Sequence, residues 1–195
     1  MSDTTNYFSK SAEVIASALA NNPKYDAVWV DEVSRILSTY DGYYEEDFSG
    51  LTAEQCALIA QALKQYSDDK QFIDLLLKRN LNLTQMQIIL SARTNGVEKY
   101  EWLDQLANEK LHYAKGNYIS QAMVEGFNMF DILDPYEYDS DQIYEIFAGF
   151  KSNIDYKRYL NPEYPSEKMG IMRHGMQLGL DVKIFEDGLL TIYIA

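Results

Sequence analysis

The sequence predicts an all-α chain: a short α-solenoid or repeat-built helical bundle of about five helix–turn–short-helix units, with an N-terminal helical cap and a short extended C-terminal tail. Three observations carry this reading. Apolar residues recur three and four apart. The same pattern returns at a fixed spacing along the chain. Glycine or asparagine stands at one repeated position, followed each time by an apolar residue.

The repeat is clearest where "SDQIYEIFAGFKSNIDYKRYL" (140–160) lies above "SEKMGIMRHGMQLGLDVKIFE" (166–186) with a shift of 26. Ser140 then meets Ser166, Ile143 meets Met169, Ile146 meets Met172 and Gly149 meets Gly175. Asn153 meets Gly179, Ile154 meets Leu180, Asp155 meets Asp181 and Tyr159 meets Phe185. The frame continues towards the N-terminus with spacings of 27, 30 and 30. It passes through Ile119, Ala122, Gly126, Phe127, Asn128 and Ile132, then Met86, Ile89, Ala92, Gly96, Val97, Glu98 and Trp102. It ends on Cys56, Ile59, Ala62, Tyr66, Ser67, Asp68 and Phe72. The units are 51–80, 81–110, 111–138, 139–164 and 165–186.

Each position has a physical role. The apolar stripe marks one buried helix face. The small position (Ala62, Ala92, Ala122, Gly149, Gly175) lets a neighbouring helix come close. Gly96, Gly126, Asn153 and Gly179 suit the left-handed conformation that ends helices, and the apolar residue after each suits the contact of a helix C-cap. Glu98, Asn128, Asp155 and Asp181 then start a second, shorter helix. Thr52 with Gln55, Asn82 with Gln85, and Asp139 with Gln142 have capping-box spacing. The first copy lacks the turn glycine.

Residues 1–50 fall outside the frame and read as the cap. "SKSAEVIASALANN" is one helix, and "DAVWVDEVSRILSTYDG" is a second with Val30, Val33 and Leu37 on one face. At the other end Gly188 breaks the last helix. The tail (187–195) carries "LLTIYIA", which reads as a strand or as an extended segment over the last unit.

The repeat "KMGIMRHGMQLGLDV" (168–182), and more loosely "QIYEIFAGFKSNID" (142–155), resembles tandem helical repeats in proteins encoded by mobile genetic elements of gut Firmicutes. Those repeats read approximately Gln-Met-x-x-Ile-Arg-x-Gly-Leu-x-x-Gly-Leu-Asp-Val. The resemblance covers residues 51–186 and is strongest after 140. It supplies no catalytic residues. It implies a setting of conjugative elements, plasmids or phages, which carry small acidic anti-restriction and anti-CRISPR proteins.

The composition sets further bounds. The polar start "MSDTTNYFSK" does not read as a signal peptide, and no run of 18 apolar residues suggests a membrane span. A single cysteine, Cys56, excludes an internal disulfide and suits a reducing cytoplasm. The net charge of −13 argues against direct nucleic-acid binding, which needs clustered cations. Catalytic candidates are thin. His112 and His174 are 62 residues apart with no metal-ligand spacing, and Cys56 lies on the apolar stripe. "DSD" at 139–141 lacks the rest of an EF-hand loop, and no phosphate-binding glycine loop appears. The expectation is therefore no enzyme, no cofactor and no metal site.

The most informative charge feature is 116–150, which holds no Lys or Arg while carrying seven carboxylates, interleaved with Tyr136, Tyr138 and Tyr144. A second acidic stretch is "YDGYYEEDF" (40–48). Both suit solvated loops; both also suit an acidic surface with aromatic anchors, in which carboxylates take the places of phosphates in a basic groove. The candidate partner-binding residues are Tyr43, Tyr44, Glu45, Glu46 and Asp47, with Asp134, Tyr136, Glu137, Tyr138, Asp139 and Asp141. The expected activity is non-catalytic protein binding, in the manner of an anti-defence inhibitor. The alternative is a scaffolding repeat protein that works through apolar contacts or self-association.

Overall fold

The computed structural model describes residues 13, 15–16, 26–40, 48, 50–78, 81–108 and 110–186. The described residues are all-helical, without a strand. None of their helices is long and apolar enough to cross a membrane. Most of the first predicted cap helix and the 187–195 tail lie outside the described residues. Two compact units make up the chain, Met1–Leu90 and Ser91–Ala195. The division falls within the second repeat.

In the first unit, α1 (Ala27–Thr39) is capped by Asp26, whose carboxylate accepts from the Trp29 amide at 3.0 Å. Its buried stripe is Trp29, Val33, Ile36 and Leu37. Val30 lies at the margin because the stripe turns towards the indole, which donates to the Leu51 carbonyl at 3.1 Å. This stripe packs on α2 (Ala53–Tyr66), so the cap helix and the first repeat share one core. The Thr52–Gln55 capping box starts α2 with both reciprocal bonds made. Cys56 is fully buried in that core. The helix ends without a left-handed residue, as the missing glycine requires: Ser67 stays right-handed. The short α3 (Lys70–Lys78) follows, with its Phe72 amide bonded to Asp69, one residue beyond the position expected to cap it. Then α4 (Leu83–Thr94) carries the chain across the unit boundary, its start fixed by the Asn82–Gln85 pair.

The second unit repeats one motif four times. Its long helices are the end of α4, then α6 (Tyr113–Val124), α7 (Ser140–Lys151) and α8 (Ser166–Gln177). Each closes on a residue of positive φ: Gly96 (107°), Gly126 (82°), Asn153 (52°) and Gly179 (75°). At each closure the next residue's amide reaches back to the carbonyl of the small position. Val97 bonds Ala92 at 3.0 Å, Phe127 bonds Ala122 at 2.8 Å, Ile154 bonds Gly149 at 3.3 Å and Leu180 bonds Gly175 at 2.9 Å. The left-handed residue itself donates three residues back. This pair of bonds satisfies carbonyls that the helix would leave unpaired.

Open space surrounds the Cβ direction of Gly126, so substitution there is resisted by backbone conformation alone. Gly126→Ala is expected to cost about 1 to 2 kcal/mol. Asn153→Gly is expected to gain about 0.5 kcal/mol, since it relieves the same conformation. Urea unfolding midpoints of the two variants would move in opposite directions.

After each turn comes a short return segment: α5 (Tyr100–Gln105), single 3-10 turns at Met129–Asp131 and Tyr156–Tyr159, and α9 (Lys183–Glu186). The return helix shrinks from nine residues in α3 to six in α5, then to the three and four of the 3-10 turns. The repeat spacing is 30 across both of these return helices and falls to 27 and 26 only where the return is made of 3-10 turns. Capping of these segments is uneven. Asn128 and Asp181 accept amide bonds, whereas Lys99 precedes α5 and Asp155 makes no side-chain cap.

The small position serves a closer neighbour than expected. A Cβ on Gly149 would meet the hydroxyl of Tyr159 and the Cβ of Tyr156, and one on Gly175 would meet Val182. The approaching group is the unit's own return segment, not a neighbouring long helix. Successive long helices still pack together, α6 on α7 and α7 on α8. The stripe residues Cys56, Ile59, Met86, Ile89, Ile119, Ile143, Ile146, Met169 and Met172 are all fully buried, at matching places in every repeat.

Candidate functional site

The acidic segment 134–145 is held from both ends. Asp134 accepts from the Tyr136 amide at 2.9 Å and starts the 3-10 turn Pro135–Glu137, with proline in the first position where no amide is needed. Beneath it, buried Lys115 donates from Nζ to the Pro135 carbonyl at 3.0 Å. Burial lowers the Lys115 pKa, and the charges of Asp139 and Asp134 act against that shift. Asp139 then caps α7, exchanging bonds of 2.7 and 2.8 Å with Gln142. Gln142 Nε2 donates onward to the carbonyls of Pro162 and Tyr164 at 2.9 and 2.7 Å.

This scaffold turns Asp134, Glu137, Asp139 and Asp141 to solvent and leaves Tyr136 half-buried. Burial, then the Asp134 charge, raises the Tyr136 pKa, while a hydrogen bond from Asn108 opposes them. Tyr138 does not join this surface. It is 6% exposed, because the Pro135 turn directs it inward, so it packs as a core residue and offers no contact area. Burial and the Glu137 charge raise its pKa. Asp134 and Asp139 present their charge while also capping helices, so they cannot be removed without loosening the loop.

The structure adds to this surface two aromatics that are not among the candidate partner-binding residues, Tyr144 from the interleaved tyrosines and Tyr118. Tyr144, 43% exposed, lies one helical turn after Asp141 and therefore on the same face. Its ring meets that of Tyr118 on α6 at 5.3 Å between centroids. The i, i+3 spacing of Asp141 and Tyr144 was the available sequence signal; the Tyr118 contact needed the packing of α6 on α7. Tyr43, Tyr44, Glu45, Glu46 and Asp47 lie outside the described residues.

The reactive side chains offer little. Burial, reinforced by the Glu32 charge, pushes the Cys56 thiol up to about 12, so thiolate is scarce near neutrality. His174 is exposed on α8, at a helix edge as its position suggested. Among the described residues no group of three His, Cys, Asp or Glu side chains could hold a metal ion.

The capping glutamines do more than start helices. Gln55 Nε2 donates to the Leu81 carbonyl at 2.7 Å, just before α4, as Gln142 does to the segment before α8. Lys115 occupies the same repeat position and makes the equivalent bond to Pro135, just before α7. One residue position thus ties each of these units to the start of the next. Comparison with known protein families, with characterised proteins and with solved structures finds no match for this chain.

Proposed function

We propose that the chain is a non-catalytic protein-binding module whose acidic, tyrosine-bearing surface occupies a basic groove that otherwise holds nucleic acid. One observation carries this reading. Four exposed carboxylates within 134–141 stand on a hydrogen-bonded scaffold beside the Tyr118–Tyr144 pair, in a stretch (116–150) without Lys or Arg. Carboxylates at fixed positions can pair with phosphate-binding cations, and tyrosines add rigid contact area at small entropic cost. The repeat's resemblance to proteins of mobile elements fits an anti-defence role, with a nucleic-acid-processing defence protein as the target.

The test must spare the caps. Glu137→Lys with Asp141→Lys changes the charge by four while leaving the Asp134 and Asp139 caps in place. With a basic partner in hand, this variant is expected to bind about 10- to 100-fold more weakly, in line with the coupling energies of interfacial charges. Its thermal unfolding should stay close to that of the parent. The parent's affinity should also fall steeply with salt. Binding that survives both the reversal and high salt would refute electrostatic mimicry.

A further inference from the structure

The last unit exposes a face that the preceding unit uses for packing. On α7, Glu145 accepts from Arg173 Nε of α8 at 2.6 Å, and Ser152 Oγ accepts from Gln177 Nε2 at 2.7 Å. Shifted by one repeat, Glu145 becomes Ile171, Ser152 becomes Leu178 and Ile154 becomes Leu180. These three apolar residues are 37%, 63% and 60% exposed. With Phe185 they wall a groove of about 420 Å³ along α8 and α9. Glu167, Arg173 and His174 also line it. In α7 the corresponding face receives the next helix of the same chain. On α8 it is open among the described residues.

Charge indicates which occupant fits. The chain carries −13 overall, yet residues 165–186 hold three cations (Lys168, Arg173, Lys183) and three carboxylates (Glu167, Asp181, Glu186). Two copies of an acidic protein repel over most of their surfaces, but not at this neutral patch. We propose that the groove is a homotypic interface, in which α8 and α9 of a second copy cover Ile171, Leu178 and Leu180. A two-fold pair with antiparallel α8 helices brings each apolar wall onto its counterpart. It also sets Glu167, at the start of one helix, near the end of the other, where His174 and Lys183 lie. This inference does not depend on the acidic surface.

Sedimentation velocity of the full chain from about 1 to about 300 µM, the range of weak dimers, tests it. The expected result is a concentration-dependent dimer that persists in high salt and is weakened at least about 30-fold by Leu178→Asp or by Ile171→Asp, each equivalent to about 2 kcal/mol. Leu178 is the more exposed of the two, at 63%, so at concentrations below the dimer range the circular dichroism melt of Leu178→Asp should match the parent. Glu137→Lys with Asp141→Lys should leave the dimer intact, which separates this surface from the acidic one. A monomer at every concentration would overturn the proposal, as would a dimer dispersed by salt or one indifferent to both groove substitutions. A chain ending at Glu186 that dimerises where the full chain does not would assign the groove to the chain's own C-terminal segment, and would equally overturn it.

Discussion

Gly149→Ala is expected to destabilise the second unit by about 2 to 3 kcal/mol, although alanine is the better helix former. The added Cβ would sit 1.8 Å from the Tyr159 hydroxyl, 3.1 Å from its Cζ and 2.9 Å from the Tyr156 Cβ. A long side chain could swing away from such a contact. Tyr159 cannot do so cheaply, because its ring is fully buried and its hydroxyl donates to the Glu145 carbonyl at 3.1 Å. Burial also pushes its pKa up, so the phenol stays protonated and keeps donating at ordinary pH. The helix-propensity gain of about 1 kcal/mol is therefore outweighed by displacement of a packed ring. Tyr159→Phe removes the nearest atom and should lose about 1 kcal/mol alone through the lost hydrogen bond. Combined with Gly149→Ala it should cost less than the sum of the two. Urea unfolding of the four chains measures this coupling. A Gly149→Ala chain stabilised by about 1 kcal/mol, as at an unconstrained helix glycine, would contradict the packing described.

Gln142→Ala is expected to cost about 3 kcal/mol, from three hydrogen bonds worth about 1 kcal/mol each. Its side chain is buried and serves two purposes. It accepts from the Asp139 amide and donates to the Pro162 and Tyr164 carbonyls. A defective capping box alone accounts for about 1 kcal/mol, so the excess measures the tie to the next unit. Gln142→Glu keeps the acceptor but turns a carboxylate towards two carbonyl oxygens. It should cost at least as much as alanine at neutral pH. A loss of only about 1 kcal/mol in both variants, by urea unfolding, would mean that the inter-unit bonds contribute nothing.

The parts of this fold that were legible in the sequence are those fixed by local chemistry. Gly96, Gly126, Asn153 and Gly179 were identifiable because few residue types tolerate a positive φ, and all four adopt it. The capping boxes followed from side chains that reach only three residues. Contacts across the fold were less legible. Gln55 and Gln142 were readable as caps, but their second bonds span 26 and 20 residues. Lys115 at the same position concealed the pattern, because a lysine in a sequence reads as exposed charge. Tyr138 read as a surface anchor from its acidic neighbours, whereas the turn at Pro135 sends it into the core. Tyr118 is hidden from the sequence for the converse reason, since it lies on another helix and meets the segment only through Tyr144.

The proposed role is tested most directly by capture from a lysate of cells carrying nucleic-acid-based defences. The immobilised chain is compared with its Glu137→Lys, Asp141→Lys variant. The expected result is a nucleic-acid-processing protein held by the parent, released by added DNA or RNA, and absent from the variant. Retention of the same proteins by both columns, unaffected by nucleic acid, would contradict an acidic surface that takes the place of phosphates.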